Sequence, residues 1–120
     1  MYKWYIPDAY YPGISRGSIY VSHEAVCFLN ETEHDAQVSL TLYFEDREKM
    51  TGFSAVVPAE KTLHLRLDRL GNDKGQAIPP DTPYAIILES GTALKVQYTR
   101  VDTTQAELSI STTMVMQEDV

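Results

Sequence analysis

Gln37-Val38-Ser39-Leu40-Thr41-Leu42-Tyr43-Phe44 is the stretch whose reading decides the fold. In an extended chain successive side chains point to opposite faces, so Val38, Leu40, Leu42 and Phe44 share one face and Gln37, Ser39, Thr41 and Tyr43 share the other. A helix would scatter these apolar residues around its circumference; strict alternation over eight positions predicts a half-buried β-strand.

The same period recurs on both sides. Leu63, Leu65 and Leu67 alternate with Thr62, His64 and Arg66, and Leu94, Val96 and Tyr98 alternate with Lys95, Gln97 and Thr99. Further strands are expected at Ser18–Val21, Ala25–Leu29, Phe53–Val57, Ala85–Glu89 and Leu108–Met116. Turn-forming clusters separate them: residues 31–35, Asp46-Arg47-Glu48-Lys49, the segment 71–75, the proline-rich segment 79–83, and Ser90-Gly91. About eight short strands with turn-rich connections predict an all-β protein, an antiparallel β-sandwich. Val38, Leu40, Leu42, Leu63, Leu65, Leu67, Leu94 and Val96 are expected to point inward. No amphipathic helix is evident, although Asp102 followed by Gln105 could cap one short turn. Met1–Pro12 reads as an aromatic, proline-containing arm and Gln117–Val120 as a frayed acidic tail, around a single domain spanning 1–120.

Composition narrows the function. Ten Lys and Arg against 17 Asp and Glu give a net charge of −7 in 120 residues, which argues against nucleic acid as a partner, because phosphate contacts need a basic stripe. It suits a partner that presents Lys and Arg. The single cysteine, Cys27, allows no internal disulfide and reads as a small core residue. The first residues lack the basic and apolar regions of a signal peptide, and no apolar run approaches the ~20 residues that span a bilayer. A soluble, cytoplasmic protein is expected.

Two polar clusters at strand ends carry the functional expectation. Ser22-His23-Glu24 runs into Ala25–Leu29 and closes on Asn30; Gln97–Asp102 is followed by Gln105-Ala106-Glu107. A strand face that turns from apolar to Arg, Asp, Gln and His builds a rim able to hold a polar ligand or a partner. His23 and Glu24 are neighbours and point to opposite faces, so they form no local acid–base dyad. His23 reads either as a strand-end histidine bonded to backbone or as a binding residue. Arg100 and Asp102 share a face about 7 Å apart, as a mutual ion pair or as an anchor for hydroxyls or a carboxylate. The three histidines have no metal-ligand spacing, and there is no phosphate loop or nucleophile elbow. No enzyme, no metal and no cofactor is expected. Trp4, Tyr5, Tyr10 and Tyr11 in the arm suit stacking on sugars or covering a partner or the protein's own sandwich.

Several motifs together resemble the small soluble sensory rhodopsin transducer family: Trp4-x-Ile6 with Pro12, Ser22-His23-Glu24-x-Val26-Cys27-x-Leu29-Asn30, Val57-Pro58-Ala59, Thr62-x-His64-x-Arg66, Ile78-Pro79-x-Asp81-Thr82, and Val96-Gln97-x-Thr99-Arg100-x-Asp102-x-x-Gln105-Ala106-Glu107. The resemblance covers nearly the whole chain. It departs at Ala9, where the family has glycine, at Tyr11 for isoleucine, at Tyr98 for a histidine and at Asp68-Arg69 for an Asn-Asp pair. The resemblance implies a compact β-sandwich assembling as a homotetramer. It also implies small-molecule binding with sugars as the favoured ligand class, or coupling to a membrane photoreceptor.

The reading that follows is a non-enzymatic ligand-binding sensory module for a sugar-like molecule, acting in signalling, with the rim of His23, Glu24, Arg100, Asp102 and Gln105 as its site. The alternative is a protein–protein adaptor, the soluble transducer of a membrane sensory rhodopsin, favoured by the acidic charge because cytoplasmic loops of membrane proteins are rich in Lys and Arg.

Overall fold

The computed structural model describes residues 1–15, 21–104 and 109–120. Within them the chain forms nine strands: β1 (Tyr2–Ala9), β2 (His23–Asn30), β3 (Ala36–Phe44), β4 (Met50–Val57), β5 (Lys61–Arg66), β6 (Tyr84–Ser90), β7 (Lys95–Asp102), β8 (Ser109–Met114) and β9 (Met116–Asp119). A short 3₁₀ turn, Leu67–Arg69, follows β5. Two antiparallel sheets result, one ordered β4-β3-β6-β1-β9 and the other β5-β2-β7-β8. This is the expected sandwich, with one strand more than expected.

Cross-strand rows of apolar side chains build the core. Leu40, Leu88 and Trp4 stand side by side across β3, β6 and β1, and Leu42, Ile86 and Ile6 form the next row. All six are buried in one core with Val26, Phe28 and Val96 from the other sheet and Leu94 just before β7. Val38, Leu40, Leu42, Leu67, Leu94 and Val96 are therefore inward as expected. Leu63 and Leu65 are only partly buried, because β5 is an edge strand of its sheet.

The structure settles the ends of the chain. The arm packs on the protein's own sandwich, one of the readings the sequence left open, and does so as a strand within the sheet: β1 lies between β6 and β9, and Trp4 is 1 % exposed. Its alternation, with Trp4 and Ile6 inward and Tyr5 outward, was masked by aromatic residues on both faces. Pro7, which has no backbone N–H, ends the regular ladder. Ile6 pairs with Ile86 and Ala9 with Tyr84, three residues against two, so β1 carries a bulge. The bulge turns Ala9 rather than Asp8 into the core.

At the other end Leu108 lies outside the described residues, and the rest of the expected strand 108–116 falls in two strands. β8 pairs with β7, β9 pairs with β1, and the chain changes sheets at Val115, whose N–H donates to the Val96 carbonyl at 3.0 Å. The acidic tail is thus paired rather than frayed, with Asp119 opposite Tyr2. The expected strand at Ser18–Val21 is not tested at Ser18–Tyr20, which lie outside the described residues; Val21 is not in a strand. Leu67 begins the 3₁₀ turn instead of closing β5. No helix among the described residues is long and apolar enough to cross a membrane.

Candidate functional site

The β2–β7 ladder places Phe28 opposite Val96, Val26 opposite Tyr98 and Glu24 opposite Arg100, all on the inner face. The first two pairs fill the core. The third puts two charged groups where the core ends.

Glu24 is fully buried. Its Oε2 accepts the Tyr10 N–H at 2.7 Å and its Oε1 accepts the Tyr84 hydroxyl at 2.5 Å. A buried carboxylate needs such donors, since an unpaired one is far costlier. Burial still pushes its carboxyl above the ordinary 4.5, against the opposing pull of the Tyr84 and Tyr10 hydrogen bonds and of Arg100. Burial, together with the neighbouring Glu24 charge, pushes the Tyr84 hydroxyl far above its ordinary range. Because Tyr84 sits on one sheet and Glu24 on the other, this bond pins the two sheets together.

Arg100 is held loosely. Its Nη2 reaches the Asp8 carbonyl at 3.3 Å, the Tyr98 hydroxyl at 3.5 Å and Asp8 Oδ1 at 3.5 Å. The guanidinium lies 5.9 Å from the Tyr98 ring centre. Its Nε is buried with no acceptor among the described residues. Two other arginines in this chain show what a satisfied one looks like. Arg66 holds Asp68 through Nε and Nη2, both at 2.8 Å, and Arg47 holds Asp46 through the same edge at 2.9 and 3.1 Å.

Arg100 opens on a cleft of about 390 Å³ between the sheets, a size in the range of small-molecule sites. The cleft follows from the topology. β9 pairs only with Tyr2–Tyr5 of β1, so the bulged end of β1 stands apart from β8 on the facing sheet. Asp8 borders it from β1, Tyr98 and Arg100 from β7, and Ser111 and Thr113 from β8. Ser111 stands opposite Arg100 and Thr113 opposite Tyr98, on the same inner face.

Of the five expected rim residues, the structure brings Glu24 and Arg100 together. Glu24 is sealed in the core, not on a rim. His23 points to the outer face, as its parity requires, and its Nδ1 donates to the Val21 carbonyl at 2.7 Å. Asp102 does not pair with Arg100. Its Oδ1 accepts the Thr104 N–H at 2.9 Å and the Thr104 hydroxyl at 2.7 Å, and those bonds hold its carboxyl below the ordinary carboxylate range. Gln105 lies outside the described residues. Sequence reasoning missed Asp8, Tyr84, Ser111 and Thr113. Ser109, Ser111 and Thr113 share one strand parity, but alternation would turn the apolar Ile110 and Met114 of the other parity inward, whereas both are exposed, so the sequence concealed the hydroxyl face.

Cys27 is not a core residue. It is half-buried on the outer face, opposite His64 across β2–β5, and burial pushes its thiol up, away from the reactive thiolate. Among the described residues, no three His, Cys, Asp or Glu side chains converge as a metal site.

The model of one family, described as Anabaena sensory rhodopsin transducer, matches residues 1–117. Among solved structures, the crystal structure of Thermotoga maritima 1070 is similar at 35% identity and a TM-score of 0.83, covering 95% of this chain and 91% of that one. The Anabaena sensory rhodopsin transducer is similar at 37% identity and a TM-score of 0.72, covering 87% of this chain and 90% of that one. No curated protein matches.

Proposed function

The chain belongs to the Anabaena sensory rhodopsin transducer family, and from that premise we propose that it is a non-enzymatic signalling module whose state is set by a small polar ligand in the cleft between its sheets. One observation carries this reading: an incompletely satisfied guanidinium, Arg100, opens on a cleft of about 390 Å³ that also offers the hydroxyls of Ser111 and Thr113 and the carboxylate of Asp8. Donors and acceptors alternating in this way suit a hydroxyl-bearing, sugar-like molecule. Arg100 is the anchor and Glu24 the brace that fixes the end of its strand. Glu24 supplies no general base to the cleft, because it is fully buried and does not line it. A thermal-shift screen of sugars and sugar acids on wild type and Arg100→Ala tests the proposal. A ligand-dependent rise in Tm in wild type that the variant lacks supports it; no shift with any ligand in wild type removes it.

The second reading is an adaptor that docks on the cytoplasmic face of a membrane photoreceptor. It is favoured by the net charge of −7 and by the name of the Anabaena relative. Co-sedimentation with rhodopsin-bearing vesicles that weakens as salt rises supports it; no co-sedimentation at low salt counts against it. We propose further that the protein acts in the cytoplasm, and as the homotetramer that the family resemblance implies. Light scattering that shows only monomer at micromolar concentration rules out the tetramer.

A further inference from the structure

We infer that the ligand of the cleft carries a carboxylate, which takes the place of Asp8 on Arg100; the inference rests on the ligand-site reading above and specifies its chemistry. Among the described residues, the other two arginines held by ion pairs each grip an Asp carboxylate through Nε and Nη2 at 2.8–3.1 Å. Arg100 has a carboxylate nearby but not in that grip. Asp8 Oδ1 stands 3.5 Å away on a side chain that is 89% exposed, and the Arg100 side chain is 27% exposed. A contact so long and so open to water is weak and easily exchanged.

The bulge at Pro7 explains the poor fit. It carries Asp8 past the core face and leaves it exposed on the lip of the cleft, where its Oδ1 makes one long contact with the guanidinium at 3.5 Å. A free carboxylate entering the cleft is not tied to that backbone and can present both oxygens to the planar fork. Electrostatics favour the exchange of one carboxylate for another. Glu24 stands opposite Arg100 in the ladder, so a phosphate dianion adds charge beside an existing acid, whereas a carboxylate entering as Asp8 leaves keeps the local charge unchanged. Ser111 and Thr113, on the inner face of β8, can then bond hydroxyls carried next to the carboxyl group. The ligand class is a small hydroxy acid or sugar acid.

The test uses the full chain, with D-glucuronate, L-lactate and succinate as acid probes and D-glucose as the neutral one. Affinities are measured by calorimetry on wild type, Asp8→Asn and Arg100→Gln. At least one acid binds wild type and glucose binds more weakly. Asp8→Asn, by removing the competing carboxylate, tightens the acid about two- to fivefold, the change expected for giving up an exposed ion pair. Arg100→Gln weakens acid binding about tenfold to a hundredfold. Asp8 is exposed, so its variant keeps the fold and the test does not depend on Arg100→Gln alone. If glucose binds as well as the acids and Asp8→Asn weakens both, the carboxylate inference fails while the ligand-site reading stands. Silence from all three acids overturns the inference, and silence from glucose as well overturns the ligand-site reading with it.

Discussion

Glu24 and Arg100 face each other across β2 and β7 on the inner side of the sheet, and they are not each other's counter-ion. The carboxylate is taken by the Tyr84 hydroxyl and the Tyr10 amide, and the guanidinium turns outward to Asp8 and Tyr98. This division separates two jobs. Glu24 fastens one sheet to the other, and Arg100 is left with donors to offer.

The Tyr84–Glu24 bond is buried and charge-assisted, so Tyr84→Phe should cost about 1.5–3 kcal/mol of stability. Urea unfolding of the two proteins measures this. A loss below about 0.5 kcal/mol means the sheets are not pinned there.

Glu24 also sets a pH dependence. Its folded carboxyl titrates above the ordinary 4.5 because it is buried. Below 4.5 it is protonated in both folded and unfolded chains, and its contribution to stability is fully present. As pH rises through the folded value the unfolded chain ionises at no cost while the folded one resists, so that contribution is lost and then levels off. Glu24→Gln can keep both partners, accepting from the Tyr10 N–H and donating to the Tyr84 oxygen. Stability measured from pH 4 to 8 should therefore fall less steeply with pH in Glu24→Gln than in wild type. Parallel curves contradict the burial argument.

Alternation alone made most of this fold legible. Val38, Leu40 and Leu42 lie where the sequence places them, because a period of two with one apolar face has a single low-energy orientation. β1 was not legible as a core strand, since Tyr5 on its outer face is as apolar-looking as Trp4 on the inner one. For the site, parity correctly separated His23 from Glu24. Parity says nothing of which distant donors reach a side chain. Tyr84 is 60 residues from Glu24, and Asp8 is 92 from Arg100. Asp102 shows the opposite limit. A local backbone N–H two residues on competes successfully with a same-face arginine, as short acidic side chains at strand ends commonly do.

Trp4 measures whether the N-terminal segment is core. At 1 % exposure, between Leu88 of β6 and Gln117 of β9, Trp4→Ala should cost about 3–5 kcal/mol. A melting temperature within a degree or two of wild type contradicts the placement of β1.

Arg100 and Asp102 should separate in their effects. Arg100→Ala should weaken a bound ligand about tenfold to a hundredfold, the loss of one charge-assisted anchor, and change stability little, since its ion pair is exposed. Asp102→Ala removes two bonds to Thr104 and should leave affinity within about twofold. Calorimetric titration of both variants checks the contrast, and equal losses would return Asp102 to the site.

The most direct test of the cleft is amide chemical-shift mapping of the labelled protein during titration with D-glucuronate and D-glucose. Binding in the cleft shifts the amides of Asp8, Arg100, Ser111 and Thr113 together, and leaves those of Cys27 and His64 on the outer face unmoved. Shifts centred on Cys27 and His64, or none at any of these positions with either sugar, contradict the account.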